Sequence, residues 1–211
     1  MSNQGFVKVC GVTTVADARM VIRAGADVVG LNVWPESPRA VTLAQACAIA
    51  ETVRGQIIVA LVVVDPNVSY LDACFDLIHP DWIQIHGTFP ERLSDAWGSR
   101  VYGAIGVESK SDVIRAKAAL GSFVLVDKKD PLLVGGTGEQ PPYALVKEVC
   151  VARKTFVAGG LSPDNVAEVI TTLAPYGVDA ASLLESSPGV KDRRKVERFV
   201  KQARSAFGAL S

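Results

Sequence analysis

The chain has 211 residues, of which 49% are hydrophobic and 21% charged, and its 22 basic residues balance 22 acidic ones. That is the composition of a globular protein with a sizeable core, and it excludes the basic stripe of a nucleic-acid or anionic-membrane binder. The longest aliphatic run, "IIVALVVV" (57–64), is too short to span a bilayer, polar "MSNQGF" carries no signal-peptide pattern, and the scattered Cys10, Cys47, Cys74 and Cys150 suit free thiols in a reducing compartment, so a cytoplasmic protein with one domain over 1–211 is expected.

Read in chain order, short aliphatic runs alternate with helical segments. "FVKVCG" is a strand that stops at Cys10 and a glycine; "DVVGLNVW" is a second, followed by the turn "SPR" (Ser37, Pro38, Arg39). Thr42 and Gln45 fit a capping box ahead of the helix "LAQACAIAETV". The strands "IIVALVVV" and "WIQIHG" follow, then a short helical segment "PERLSDAWG" and the strands "VYGAIGV" and "FVLVD", the last ending at Asp127. The long loop after it contains Gly135, Gly136, Thr137 and Gly138, a glycine cluster suited to a mobile lid. "PPYALVKEVCVAR" reads as the sixth helix and "TFVAGG" as the seventh strand. Ser162 before Pro163 places a cap at the next helix start, and Val166, Val169, Ile170 and Leu173 form its apolar face. "VDAASLL" is the eighth strand; Val196, Phe199, Val200 and Ala203 mark the buried face of the last helix.

Nearly continuous apolar runs are the mark of parallel strands covered on both faces. Eight strand–helix repeats in this length predict an α/β fold of one kind, a single (β/α)8 barrel. Its active site should gather at the carboxyl ends of the strands, which directs attention to Cys10, Asp127, the "AGG" of Ala158–Gly160, and Ser182. A lone strand cysteine is usually packing, and a thiol of ordinary pKa about 8.5 needs a favourable setting to act as a base. Asp127 alone is equally a loop cap or a partner of Lys128 or Lys129. Together, on nearly opposite strands, the two could flank a substrate as base and acid. Gly159 and Gly160 precede a helix start, where amide N–H groups favour an anion such as phosphate. Arg39 is either a solvated turn residue or a fork for a substrate carboxylate. His79 and His86 have no partners at ligand spacing, so no metal site is expected.

Taken together, "VKVCG", "SPR", "IQIHG", "LVDKK" with "GGTG", "AGGLSPDNV" and "VDAASLLESSPGVKD" resemble phosphoribosylanthranilate isomerase of tryptophan biosynthesis, from Val7 to about Phe199. The resemblance implies a cofactor-free Amadori rearrangement of an aminoaldose phosphate to an aminoketose. It implies Cys10 as general base, Asp127 as general acid, Arg39 as the holder of the anthranilate carboxylate, and the amides of Gly159, Gly160, Ser182 and Leu183 as the phosphate site. It implies a monomer or a homodimer, with neither nucleic acid nor membrane as partner. The family's S-G-V-E reads Ser182-Leu183-Leu184-Glu185 here, and leucine would be strained if the glycine's φ were positive. Val33 and Trp34 stand where the family places a phenylalanine, and "VVV" where strand three often carries another, changes that would reshape an aromatic pocket. The alternatives are the histidine-pathway aminoaldose isomerase, disfavoured because that family has aspartate in place of Cys10, and a non-catalytic barrel that binds a phosphosugar.

Overall fold

Each apolar run carries two sets of side chains, one for the inside of a barrel and one for the helices around it. In a computed structural model, which describes residues 5–90, 100–127 and 143–210, eight parallel strands close into that barrel. They are β1 (Phe6–Cys10), β2 (Val28–Asn32), β3 (Ile58–Val64), β4 (Trp82–His86), β5 (Val101–Gly106), β6 (Val124–Asp127), β7 (Thr155–Val157) and β8 (Gly177–Ala180). Strand β8 pairs back onto β1 with Asp179 opposite Lys8, which leaves the barrel sheet without an edge.

Parity sorts the side chains. On β1, Val7 and Val9 join the outer core against the helices, and Phe6, Lys8 and Cys10 point inward. On β4 the outer residues are Ile83 and Ile85, and the inner ones Trp82, Gln84 and His86. The amino-terminal end is plugged by Phe6, Trp82, Tyr102, Phe123, Phe156 and Tyr176, whose neighbouring ring centroids lie 4.4–6.2 Å apart. A polar layer lies above this plug, and the cavity opens above that.

Seven α-helices occur among the described residues: α1 (Val15–Ala24), α2 (Leu43–Val53), α3 (Val68–Ile78), α4 (Lys110–Ala118), α5 (Tyr143–Ala152), α6 (Val166–Leu173) and α7 (Arg193–Ala209). The expected capping box at α2 is present, with Thr42 Oγ1 accepting from Gln45 N at 3.2 Å and Gln45 Oε1 accepting from Thr42 N at 2.9 Å. The apolar faces expected of α6 and α7 are buried as their spacing required. Of the expected fourth helix, "PERLSDAWG", all but Pro90 lies outside the described residues, and so does the proline pair before α5.

Several strands are a residue or two shorter than their apolar runs, and three further boundaries bear on the site. Strand β7 ends at Val157, because Gly159 and Gly160 adopt positive φ (84° and 64°) that an extended strand does not use. Strand β8 ends at Ala180, and Ser182–Leu184 form a 3₁₀ turn rather than more strand. Ser162 does cap, its hydroxyl accepting from Asp164 N while Asn165 Oδ1 accepts from Ser162 N, but what it caps is a turn; regular helix begins at Val166. A small antiparallel hairpin, β9 (Glu185–Ser187) with β10 (Val190–Lys191), follows the 3₁₀ turn and was not foreseen.

Candidate active site

A cavity of about 550 Å³ lies at the carboxyl ends of the strands. Cys10 reaches it from β1 and Asp127 from β6; Arg39 reaches it from the loop after β2. Gly159 and Gly160 after β7 and Ser182 and Leu183 after β8 form another part of its wall. Every sequence-singled site residue that the structure describes therefore converges on one space. The glycine cluster at Gly135, Gly136, Thr137 and Gly138 lies outside the described residues.

The amides of Gly159, Gly160, Ser182 and Leu183 donate to no backbone carbonyl among the described residues. They are four N–H groups at one end of the cavity, of the kind that cradles an anion. Among the described residues, the non-glycine residues with positive φ are Asp65, His79 and Ala174, so Leu183 sits in its turn without the strain that a left-handed glycine position would impose. Leu183 lines the cavity and is 46% exposed. Val33 is buried in the outer core and does not line the cavity, and neither does Trp34; of "VVV", only Val62 does. The substitutions in strand two thus leave the cavity wall untouched.

Cys10 is half-buried, and burial pushes its thiol above the ordinary value. The ammonium groups of Lys8 and Lys191 pull the other way, and the Asp179 carboxylate adds to the rise. The sulfur lies over Gly30 of β2: a Cβ there would sit 2.6 Å from Sγ and 3.0 Å from Cys10 Cα. Gly30→Ala is accordingly expected to cost about 1–3 kcal/mol in a thermal or denaturant melt, as overpacking does. It should also lower turnover at least about 10-fold by displacing the thiol. Wild-type melting and turnover together would mean that β1 and β2 separate without cost.

The sequence reading passed over the polar layer below. Lys8, fully buried, donates to Asp179 Oδ2 at 2.6 Å and to Gln84 Oε1 at 2.9 Å. Burial works against its charge, but the Asp179 carboxylate and its hydrogen bond, together with Cys10 and Tyr102, outweigh this and raise its pKa. Gln84 Oε1 also accepts from the Tyr102 hydroxyl at 3.0 Å, which fixes the amide and turns its Nε2 toward His86 Nε2 at 2.7 Å. An amide nitrogen only donates, so His86 Nε2 accepts and its proton is on Nδ1. Burial, with the Lys8 charge second, holds the imidazole down to about 4, so it is neutral in the physiological range. Alternation within the strands carried the signal: Phe6-Lys8-Cys10 and Trp82-Gln84-His86 place polar residues at every inward position above the plug.

Arg39 lies in a turn, but it is half-buried and paired rather than solvated. Its Nε and Nη2 fork onto both carboxylate oxygens of buried Glu185 at 2.8 and 2.9 Å, and Lys191 Nζ meets the same carboxylate at 2.7 Å. Burial opposes the charge on Glu185, yet Arg39 and Lys191 hold its pKa below the usual value. Two cations against one anion leave this corner with an excess positive charge. Among the described residues, no group of three or more His, Cys, Asp or Glu is placed to hold a metal ion, and no helix is long and apolar enough to cross a membrane.

A closed (β/α)8 barrel with a polar cavity at its strand ends defines the class: a barrel enzyme acting on a small anionic molecule. The profile of the N-(5'-phosphoribosyl)anthranilate (PRA) isomerase family matches residues 7–202. The chain belongs to that family. It is 35% identical over 207 residues to the N-(5'-phosphoribosyl)anthranilate isomerase of Cellvibrio japonicus, covering 97% of this chain and 96% of that one. It is 37% identical to that of a Sulfurihydrogenibium species, with 92% and 97% covered. The phosphoribosyl anthranilate isomerase of Thermotoga maritima superposes with a TM-score of 0.84 at 28% identity, over 95% of this chain and 99% of that. A phosphoribosyl anthranilate isomerase in complex with reduced 1-(O-carboxyphenylamino)-1-deoxyribulose 5-phosphate superposes with a TM-score of 0.80 at 25% identity, over the same shares.

Proposed function

We propose that the chain converts N-(5'-phosphoribosyl)anthranilate to 1-(2-carboxyphenylamino)-1-deoxyribulose 5-phosphate, with Cys10 as base and Asp127 as acid. The observation that carries these roles is that a thiol and a carboxyl enter one cavity from β1 and β6, with four amides on its wall that donate to no backbone carbonyl among the described residues. Asp127 gives a proton to the ribose ring oxygen; the bond from that oxygen to C1' breaks, and C1' becomes the carbon of an iminium ion. The Cys10 thiolate takes the proton from C2', and the C–H electron pair flows toward the iminium nitrogen to leave an enolamine. Loss of the C2' hydroxyl proton and protonation of C1' give the ketone. The substrate's nitrogen is the electron sink, and the reaction is a redistribution of hydrogen with no change of composition.

The amides of Gly159, Gly160, Ser182 and Leu183 hold the phosphate in this reading, and the Arg39 corner holds the anthranilate carboxylate. Because Glu185 occupies the Nε–Nη2 fork, the contact falls to Nη1, which makes no hydrogen bond among the described residues. Arg39→Ala should raise KM about 10- to 100-fold, the size of a lost charged hydrogen bond of about 1.5–3 kcal/mol, with a smaller effect on kcat. Arg39→Lys should not restore it, since an ammonium cannot grip Glu185 with a fork and face the substrate as well. An unchanged KM in Arg39→Ala would return the arginine to a structural role.

The whole reading is tested by following the loss of anthranilate-type fluorescence with substrate generated in situ and chelator present. Enzyme-dependent decay supports it. A preparation that binds the reduced product and does not turn over would favour the binding-only barrel.

A further inference from the structure

The polar layer beneath the cavity contains one atom that the fold leaves without a partner. Asp179 is 5% exposed; its Oδ2 is taken by Lys8 Nζ, and its Oδ1 is buried with no hydrogen-bond partner among the described residues. Lys8 is not free to serve both oxygens, because the three donors of its ammonium go to Asp179 Oδ2, to Gln84 Oε1 and to the Cys10 side chain. Buried polar atoms in native folds nearly always find a partner. Asp179 lines the cavity, so the donor that completes it comes with the ligand. A carboxylate paired with an ammonium only accepts, which specifies a hydroxyl or N–H and excludes the phosphate and carboxylate ends of an anionic substrate.

Position selects among hydroxyls. Asp179 is opposite Lys8 in the β8–β1 register, and Cys10 is the next inward residue above Lys8. The amides of Ser182 and Leu183 come later, in the turn beyond the end of β8. A base and an acceptor on adjoining strands, one layer apart and away from the anion end, suit two groups on one carbon: the hydrogen that leaves and the hydroxyl that stays. We infer that Asp179 Oδ1 accepts the hydrogen bond of the hydroxyl on C2', the sugar carbon that Cys10 deprotonates; the assignment rests on the isomerase reading above. The contact turns the C2'–H bond toward the sulfur. It also keeps the hydroxyl oxygen electron-rich as that carbon gives up its proton. The hydroxyl retains its proton through this step and loses it only when the ketone forms and C1' is protonated.

The test uses the reduced product, which carries a C2 hydroxyl, together with its 2-deoxy and 3-deoxy counterparts, titrated by ligand fluorescence. On the wild-type protein, removing the C2 hydroxyl should weaken binding about 10- to 100-fold, as expected for a hydrogen bond to a charged group. In Asp179→Asn the amide oxygen must face Lys8 and its NH₂ the cavity, so the same deletion should matter less than about 3-fold. Lys8→Met/Asp179→Leu, which leaves neither an unpaired buried charge nor an acceptor at this position, gives the same comparison if the single variant does not fold. Equal affinities of the reduced product and its 2-deoxy form for the wild type would overturn the assignment. So would a 2-deoxy penalty that persists in the Asp179 variants, or a coupling of Asp179 to the C3 hydroxyl instead. Wild-type turnover in the same preparation keeps the outcomes apart. Turnover without the coupling removes only the role of Asp179, and absence of both turnover and analogue binding removes the isomerase reading itself.

Discussion

Cys10→Ala is expected to lower kcat by about 10²- to 10⁴-fold while leaving the affinity for the reduced product within a few-fold of wild type. The split between the two readouts is the point: a base is needed to move a proton, and the reduced product has none to give. Cys10→Ser should be nearly as slow, because a hydroxyl in the same place is a far weaker acid than a thiol and is scarcely ionised. The pH profile supplies a second, independent signature. Burial raises the thiol pKa, so the folded chain binds this proton more tightly and the active thiolate fraction grows with pH. For the wild type, kcat/KM should climb through neutrality and go on climbing past the ordinary thiol value of about 8.5 before levelling. That limb should vanish in Cys10→Ala. A near-wild-type rate in the variant, or a flat profile above pH 7 in the wild type, would take Cys10 out of the proton transfer. Lys8 and Lys191 temper the rise, which is a physical reason for two buried ammonium groups beside one sulfur.

How much of this was legible beforehand differs between fold and site. The eight strands could be read because parallel strands covered on both faces leave continuous aliphatic runs, and the capping box at Thr42 and Gln45 is a local signal. Strand ends were less legible: whether "AGG" continues a strand depends on the positive φ of Gly159 and Gly160, and glycine permits that conformation without demanding it. The hairpin from Glu185 to Lys191 left no periodic trace because it has only five strand residues. In the site, residues at strand ends were found by position. Those one step deeper were missed, because runs read for hydrophobicity alone conceal the parity that turns Lys8, Gln84 and Asp179 inward. Arg39 shows a different limit. Its partner is 146 positions away in the sequence, and only the closure of the barrel brings Glu185 to it.

Asp127→Asn should reduce kcat by about 10²-fold or more with little change in affinity for the reduced product, since the amide keeps the shape of the carboxyl and can still donate a hydrogen bond. What it cannot do is give up the proton, and opening the ribose ring needs that transfer: without it, an alkoxide would have to leave from C1'. Asp127 lies at the end of β6, where its backbone carbonyl accepts from Val107 N at 3.1 Å and its register partner on β5 is Gly106. The side chain is thereby presented to the cavity from a fixed strand end rather than from a loop, and substitution should leave the barrel intact. Asp127→Ala adds a sharper discrimination, because it opens space in a cavity of about 550 Å³ where a small acid can lodge. Added formate should restore part of the turnover of Asp127→Ala and none of that of Asp127→Asn, whose amide still fills the position. Rescue of neither, with both variants folded and binding the reduced product, would leave Asp127 as an orienting group and require another donor for the ring oxygen. A wild-type rate in Asp127→Asn would exclude it from the reaction altogether.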